Sequence, residues 1–178
     1  MHLLFVCTGN ICRSPIAERL AAVHGTRLQI PEFETSSAGT RAVVGSPIHR
    51  DAAIVLTRLG GEPTGFAARQ FTTKVASEAD LILTMTTAHR DKVLERAPRL
   101  LRRTFTISEL FWLSSHFEAR SIADLWALRP ELVANQLVDV VDPIDQSPEI
   151  FATVGSQIAD LLIPTIEFCQ RAAKPTAE

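Results

Sequence analysis

A chain of 178 residues with 46% hydrophobic and 21% charged residues has the usage of one soluble globular domain, and it can bury enough surface to need no staples. Its 18 basic and 20 acidic residues leave a net charge of −2, which argues against nucleic-acid binding through a basic field. No apolar run reaches the roughly 18 residues of a membrane span; Met1 leads into Leu3–Val6 without a signal-peptide layout, and the three cysteines, Cys7, Cys12 and Cys169, are too few for a disulfide framework, so a cytoplasmic chain with free thiols and no membrane insertion is expected.

Leu3-Leu4-Phe5-Val6 reads as a buried strand that stops at a Thr-Gly-Asn turn. Ser14-Pro15 then opens a helix: Ser is suited to cap it, Pro to stand at its first position, and Ile16, Leu20 and Val23 give the apolar stripe up to a stop at Gly25. A weak second strand ends in Ser36-Ser37-Ala38-Gly39-Thr40. A helix over 47–59 follows from the spacing of Ile48, Ala52, Val55 and Leu59, with Gly60-Gly61 as its stop. A short helix over 72–79, a doubly buried strand over 81–85, a helix over 88–97 and a fourth strand over 104–107 continue the alternation. Ser147-Pro148 starts the last helix, which either kinks or breaks at Pro164 before a frayed tail from about residue 172. Strands alternating with helices imply a parallel sheet covered on both faces. Residues 112–138, with Trp112 and Trp126, do not fit the alternation. They suggest one or two amphipathic helices broken near Pro130, either a flap packed on the core or a substrate or partner surface. One domain spanning 1–178 with this helical insertion is expected.

The stretch Cys7-Thr8-Gly9-Asn10-Ile11-Cys12-Arg13-Ser14 lies between a strand and the start of a helix. At such a junction successive backbone N–H groups point into one concavity and the helix dipole adds positive potential. Gly9 lets the chain turn tightly, and Arg13 supplies a planar fork for two phosphate oxygens. Cys7, at the base of the bowl, is expected to sit as a thiolate, a nucleophile aimed at the phosphorus of a bound phosphate. Each element alone is bland: a strand-end Cys is usually a small buried hydrophobe, and a glycine loop is weak evidence for phosphate. Their joint occurrence carries the reading. A thiolate attacking phosphorus needs an acid for the leaving oxygen, and Asp142, on a loop stiffened by Pro143, is the candidate, with Asp139 and Asp145 as rivals. Scattered histidines and the lack of a Cys-x-x-Cys pair speak against a metal site.

These residues resemble the low-molecular-weight protein-tyrosine phosphatases, bacterial type, over about residues 2–111 and 139–169. The resemblance rests on Val6 through Pro15, Ser37-Ala38-Gly39-Thr40, Ala68-Arg69-Gln70, Asp80 through Met85, and Asp142-Pro143. It implies an α/β fold, a four-stranded parallel sheet flanked by helices on both faces (flavodoxin-like), with the catalytic loop at the carboxyl end of the first strand. It implies that Cys7 is the nucleophile, Arg13 the binder of phosphate and transition state, and Asp142 the acid and then the base. Phosphate would be held by Thr8, Gly9, Asn10, Ile11, Cys12, Arg13 and Ser14. Asn10 would brace the loop, Ser14 would stabilise the thiolate, and Ser37 would bond to Asn10 from behind. Cys12 would be a reversible disulfide partner for Cys7. No metal or organic cofactor is implied.

The departures lie in the cleft wall, assigned to Ile11, Ala42, Val43, Ile144 and Asp145, where many members carry aromatic residues; this chain has no tyrosine. The implied activity is hydrolysis of protein phosphotyrosine through a phosphocysteine, with a phosphorylated protein as partner, such as a bacterial tyrosine kinase or its target, and a monomer favoured. A related branch acts on phosphoarginine and tends to carry Thr at the position of Ile11. Apolar Ile11 therefore favours the aromatic ester, while Ile144 and Asp145 pull the other way. A thiol-based arsenate reductase would need two further cysteines that residues 70–100 lack. A non-catalytic phosphate-binding module is argued against by the joint presence of Cys7, Arg13 and Asp142.

Overall fold

The computed structural model describes residues 1–133 and 137–173. The chain alternates as expected: β1 (His2–Cys7), α1 (Arg13–Arg27), β2 (Glu34–Gly39), α2 (Arg50–Arg58), α3 (Thr73–Ser77), β3 (Leu81–Thr84), α4 (Thr87–Arg96) and β4 (Thr104–Thr106). Then come α5 (Ile107–His116), α6 (Ile122–Ala127) and the long α7 (Pro148–Ala173). All strand pairs are parallel, in the order β2-β1-β3-β4. With β1 inside the sheet, α1 leads to β2 on one side and the later connection crosses to β3 on the other. The carboxyl end of β1 is thus a topological switch point, where open α/β sheets place their ligands.

Both faces of the sheet are covered because β1 from Leu3 to Cys7 and β3 from Leu81 to Leu83 are apolar without interruption. Leu3, Phe5, Cys7, Leu81 and Leu83 point into one core with Ile16 and Leu20 of α1 and Val154, Ile158 and Leu162 of α7. Leu4, Val6 and Ile82 point to the other, against Phe71, Val93 and Leu100.

Three local expectations change. Helix α1 begins at Arg13, and no side chain caps it. Ser14 is already inside the helix, and its hydroxyl is turned to Cys7. Gly25 does not end α1, which runs on to Arg27. Gly25 is instead a close-packing site: a Cβ there would lie 2.1 Å from Cδ1 of Phe33. Pro164 neither breaks α7 nor ends it. Burial of Thr165, Ile166, Phe168 and Cys169 beyond the proline carries the helix through, and the Thr165 hydroxyl donates to the Leu161 carbonyl at 3.0 Å. The part of the expected frayed tail from residue 174 onward lies outside the described residues.

Gly155 lets α7 approach α2, since a Cβ there would stand 2.2 Å from Cγ1 of Val55. The neighbouring contact is a stack of His49 on Phe151, with ring centroids 5.0 Å apart. Gly155→Ala is expected to overpack this seam and cost about 1–3 kcal/mol. A thermal unfolding midpoint equal to the parent's would show that the two helices part at no cost.

The described part of the segment 112–138 packs on the core. Its first residues complete α5, which is capped at Thr106 by a reciprocal pair with Glu109. Leu125 of α6 is fully buried. Glu109, itself buried, ion-pairs with Arg90 and, at 3.2 Å, with Arg129. The Arg129 guanidinium lies 4.6 Å from the Phe105 ring centre and 5.5 Å from that of Trp126. Residues 134–136 of this segment fall outside the described residues. Among the described residues, no helix is long and apolar enough to cross a membrane.

Candidate active site

Strand β1 delivers Cys7 to the carboxyl edge of the sheet, and residues 8–12 curl before α1 starts. The carbonyls of Cys7, Thr8 and Gly9 accept from the N–H groups of Thr40, Arg41 and Val43 at 2.9, 3.0 and 3.0 Å. The Ile11 carbonyl accepts from His49 N–H at 2.7 Å. A trans peptide points its N–H away from its C=O, so carbonyls spent outward turn the following amides inward. The start of α1, with no side-chain cap and no acidic residue in its first turn, adds its own amides and dipole. The loop is therefore an anion-binding bowl.

Asn10 fixes the curl. It is buried and adopts φ of 56°, the left-handed region that Asn tolerates better than other residues with a side chain. Its Oδ1 accepts from the Arg69 N–H at 2.8 Å, which orients the amide. Its Nδ2 then donates to Ser14 Oγ at 2.9 Å and Ser37 Oγ at 2.7 Å. Each hydroxyl, having accepted, has its own proton to give. Ser37 donates to Glu18 Oε2 at 2.5 Å, and the Ser14 hydroxyl lies 2.9 Å from Cys7 Sγ, where it can donate to the sulfur. The Asn10 amide thereby fixes that hydroxyl beside the nucleophile. Burial holds the Glu18 carboxyl above its ordinary range, opposed by the Ser37 bond.

Arg13 is 4% exposed. Its Nη1 donates to the Val140 carbonyl at 3.0 Å and its Nη2 to Asp142 Oδ2 at 2.5 Å. Its buried Nε has no acceptor among the described residues, a donor left over for a ligand oxygen. Asp142 is about half exposed, on the loop before α7. Cys12 is buried beside the bowl, and burial first, then the Cys7 charge, pushes its thiol up to about 12. All three cysteines are free thiols.

The cleft above the loop holds about 250 Å³. The loop contributes Cys7, Thr8, Gly9, Cys12 and Arg13, the apolar wall is Ile11, Val43 and Ile144, and Asp142 and Arg41 complete the lining. Two expected wall residues are not there. Ala42 is turned behind the rim, its N–H held by Gln70 Oε1 at 3.0 Å. Asp145 sits at φ of 62° in the turn after Pro143, where Gln146 N–H closes onto the Pro143 carbonyl at 3.0 Å, and it does not face the cleft. Asp139, the other rival carboxylate, is committed to Thr87, taking its N–H at 2.9 Å and its hydroxyl at 3.2 Å. Asn10, Ser14 and Ser37 lie behind the loop. Among the described residues, none of 112–138 lines the cleft, and no group of three or more His, Cys, Asp or Glu could hold a metal ion.

Sequence reasoning missed Arg41, whose only signal is its place after Gly39-Thr40, and gave no role to Arg69. Besides its backbone bond to Asn10, Arg69 donates from Nε to the Ser37 carbonyl at 2.8 Å.

The model of the low molecular weight phosphotyrosine protein phosphatase family matches residues 2–126. The low molecular weight protein-tyrosine-phosphatase Etp of Escherichia coli (strain K12) is 39% identical over 111 residues, 62% of this chain and 70% of that protein. A protein-arginine-phosphatase of Geobacillus stearothermophilus is 37% identical over 108 residues, 61% of this chain and 70% of that protein. The crystal structure of a low molecular weight protein tyrosine phosphatase from T. tengcongensis superposes with a TM-score of 0.75 at 28% identity, covering 94% of this chain and 98% of that one.

Proposed function

Because this chain belongs to the low molecular weight phosphotyrosine protein phosphatase family, we propose that it hydrolyses phosphotyrosine in protein substrates through a phosphocysteine on Cys7. The phosphoryl group sits in the bowl of amides, bridged by Arg13. The Cys7 thiolate attacks phosphorus, and the phosphorus–oxygen bond to tyrosine breaks. The leaving oxygen takes its electron pair and the proton of Asp142. Asp142, now a carboxylate, removes a proton from water, whose oxygen attacks phosphorus and releases phosphate and the thiolate. Arg13 and the amides hold the equatorial oxygens in both steps. The observation that carries the reading is the shared cleft: Cys7 with Ser14 beside its sulfur, Arg13 and Asp142 border one cleft of about 250 Å³.

A second reading, hydrolysis of protein phosphoarginine, is favoured by the cleft wall, which carries no aromatic ring. Against it, Ile11 offers no polar atom to a guanidinium. Phosphotyrosine, phosphoarginine and phosphoserine peptides of one sequence, compared by kcat/KM, decide between them. Phosphotyrosine is expected to exceed phosphoarginine by about tenfold or more, as one well-placed contact supports, and phosphoserine to be turned over least. A faster phosphoarginine rate would replace the first reading with the second. In the cell, a bacterial tyrosine kinase or its targets would supply such substrates to a monomeric enzyme.

A further inference from the structure

Thr8 and His89 lie far apart in sequence, yet Thr8 Oγ1 and His89 Nε2 are 2.8 Å apart. The other ring nitrogen, Nδ1, is 2.8 Å from Thr86 Oγ1. His89 is 5% exposed. Thr86 is the N-cap of α4, and its Oγ1 accepts the His89 backbone N–H at 3.1 Å. Each ring nitrogen therefore has a hydroxyl partner, and a neutral imidazole satisfies both by donating to one and accepting from the other.

The same few residues hold the acid loop. Thr87 binds both oxygens of Asp139, and Met85 accepts from Val140 N–H at 2.9 Å while donating its own N–H to the Val6 carbonyl at 2.9 Å. Val140 in turn receives Arg13. The N-terminal end of α4 therefore touches the phosphate loop at Thr8 and the acid loop at Asp139 and Val140.

We propose that His89 is a positioning residue, a clasp that ties Thr8 of the phosphate loop to the end of α4 so that Cys7 and Asp142 keep their register. The proposal rests on the phosphatase reading and assigns a residue outside the cleft to its efficiency. A clasp of this kind needs a neutral ring with one fixed tautomer. Burial first, then Arg13 and Lys92, pull the His89 pKa down to about 4, against the opposing pull of Asp142 and Asp139. The ring thus stays neutral throughout the range in which a phosphatase works.

His89→Leu removes both polar atoms and keeps the bulk. It is expected to lower kcat/KM on phenyl phosphate about threefold to tenfold, the effect of one lost hydrogen bond. The loss should be smaller on 4-nitrophenyl phosphate, whose leaving group needs less of the acid. His89→Gln, whose amide can reach Thr8, should recover most of the rate. Thr8→Val should reproduce the loss, and Thr8→Val/His89→Leu should lose no more than Thr8→Val alone. Additive losses, a Gln variant no better than Leu, or a Thr8→Val variant at the parent rate overturns the clasp. If His89→Leu does not fold, the Gln and Val variants decide it. Parent turnover of the same esters, and its loss in Cys7→Ser, judge the phosphatase reading separately.

Discussion

Cys7→Ser is expected to bind inorganic phosphate and to turn over nothing, with kcat reduced by at least about 10⁴-fold on any aryl phosphate. Cys7 is 2% exposed at the end of β1, and the Ser14 hydroxyl, held by Asn10, lies 2.9 Å from its sulfur. The open end of α1 and Arg13 surround the same sulfur with amide donors and positive charge. A serine oxygen in the same place holds its proton far more tightly than a thiol and is a poor nucleophile without its removal. The anion site itself, made of amides and Arg13, does not depend on the sulfur, so phosphate should still inhibit or protect. Acid quench of the parent protein during turnover should trap phosphorus on Cys7, and no phosphoenzyme should form in the variant. Appreciable turnover by Cys7→Ser would remove the covalent route.

Much of this was legible because it is local. The strand-to-helix junction and its loop are one continuous string, Val6 to Pro15, and the alternation of apolar strands with helices needs only a period and a stop signal. The carboxylate was legible as Asp142, since Pro143 marks a stiff loop, while what sets its rivals Asp139 and Asp145 apart lies in contacts between distant segments. Asp139 is spent on Thr87, Asp145 turns away, and only Asp142 reaches Arg13. What the sequence hides are contacts between distant segments. The Asn10 amide is oriented by the backbone of Arg69, and Thr8 meets His89. Gly25 reads as a helix stop but is a place where Phe33 presses on α1. Pro164 reads as either a kink or a break, and burial of the residues after it carries the helix through despite the missing N–H. In each case tertiary burial overrides a local rule whose residue type was read correctly.

Asp142→Ala should slow a poor leaving group by about 10²–10⁴-fold, the usual worth of a positioned acid, and an activated nitrophenyl ester by much less. The structure adds a second, opposite effect. Without ligand, Asp142 occupies Nη2 of Arg13 at 2.5 Å, so a phosphoryl group entering the bowl competes with this carboxylate for the guanidinium. Asp142 is about half exposed, so breaking the pair is screened by solvent and the competition is modest. Removing it should let inorganic phosphate bind as tightly as in the parent or a few-fold tighter, while kcat falls. Asp142→Asn keeps the side chain's volume and an acceptor oxygen but carries neither charge nor exchangeable acid; it should show the same loss in kcat with a smaller gain in phosphate affinity. Asp145→Ala, outside the cleft lining, should leave the leaving-group dependence unchanged. Asp139→Ala, which unties the acid loop from Thr87, should depress poor leaving groups more than good ones, but by less than Asp142→Ala. A variant at 139 or 145 that widens the advantage of good leaving groups more than Asp142→Ala does would transfer the role of acid to that residue. Weaker phosphate binding in Asp142→Ala would mean that the ion pair holds Arg13 ready for the ligand and does not compete with it.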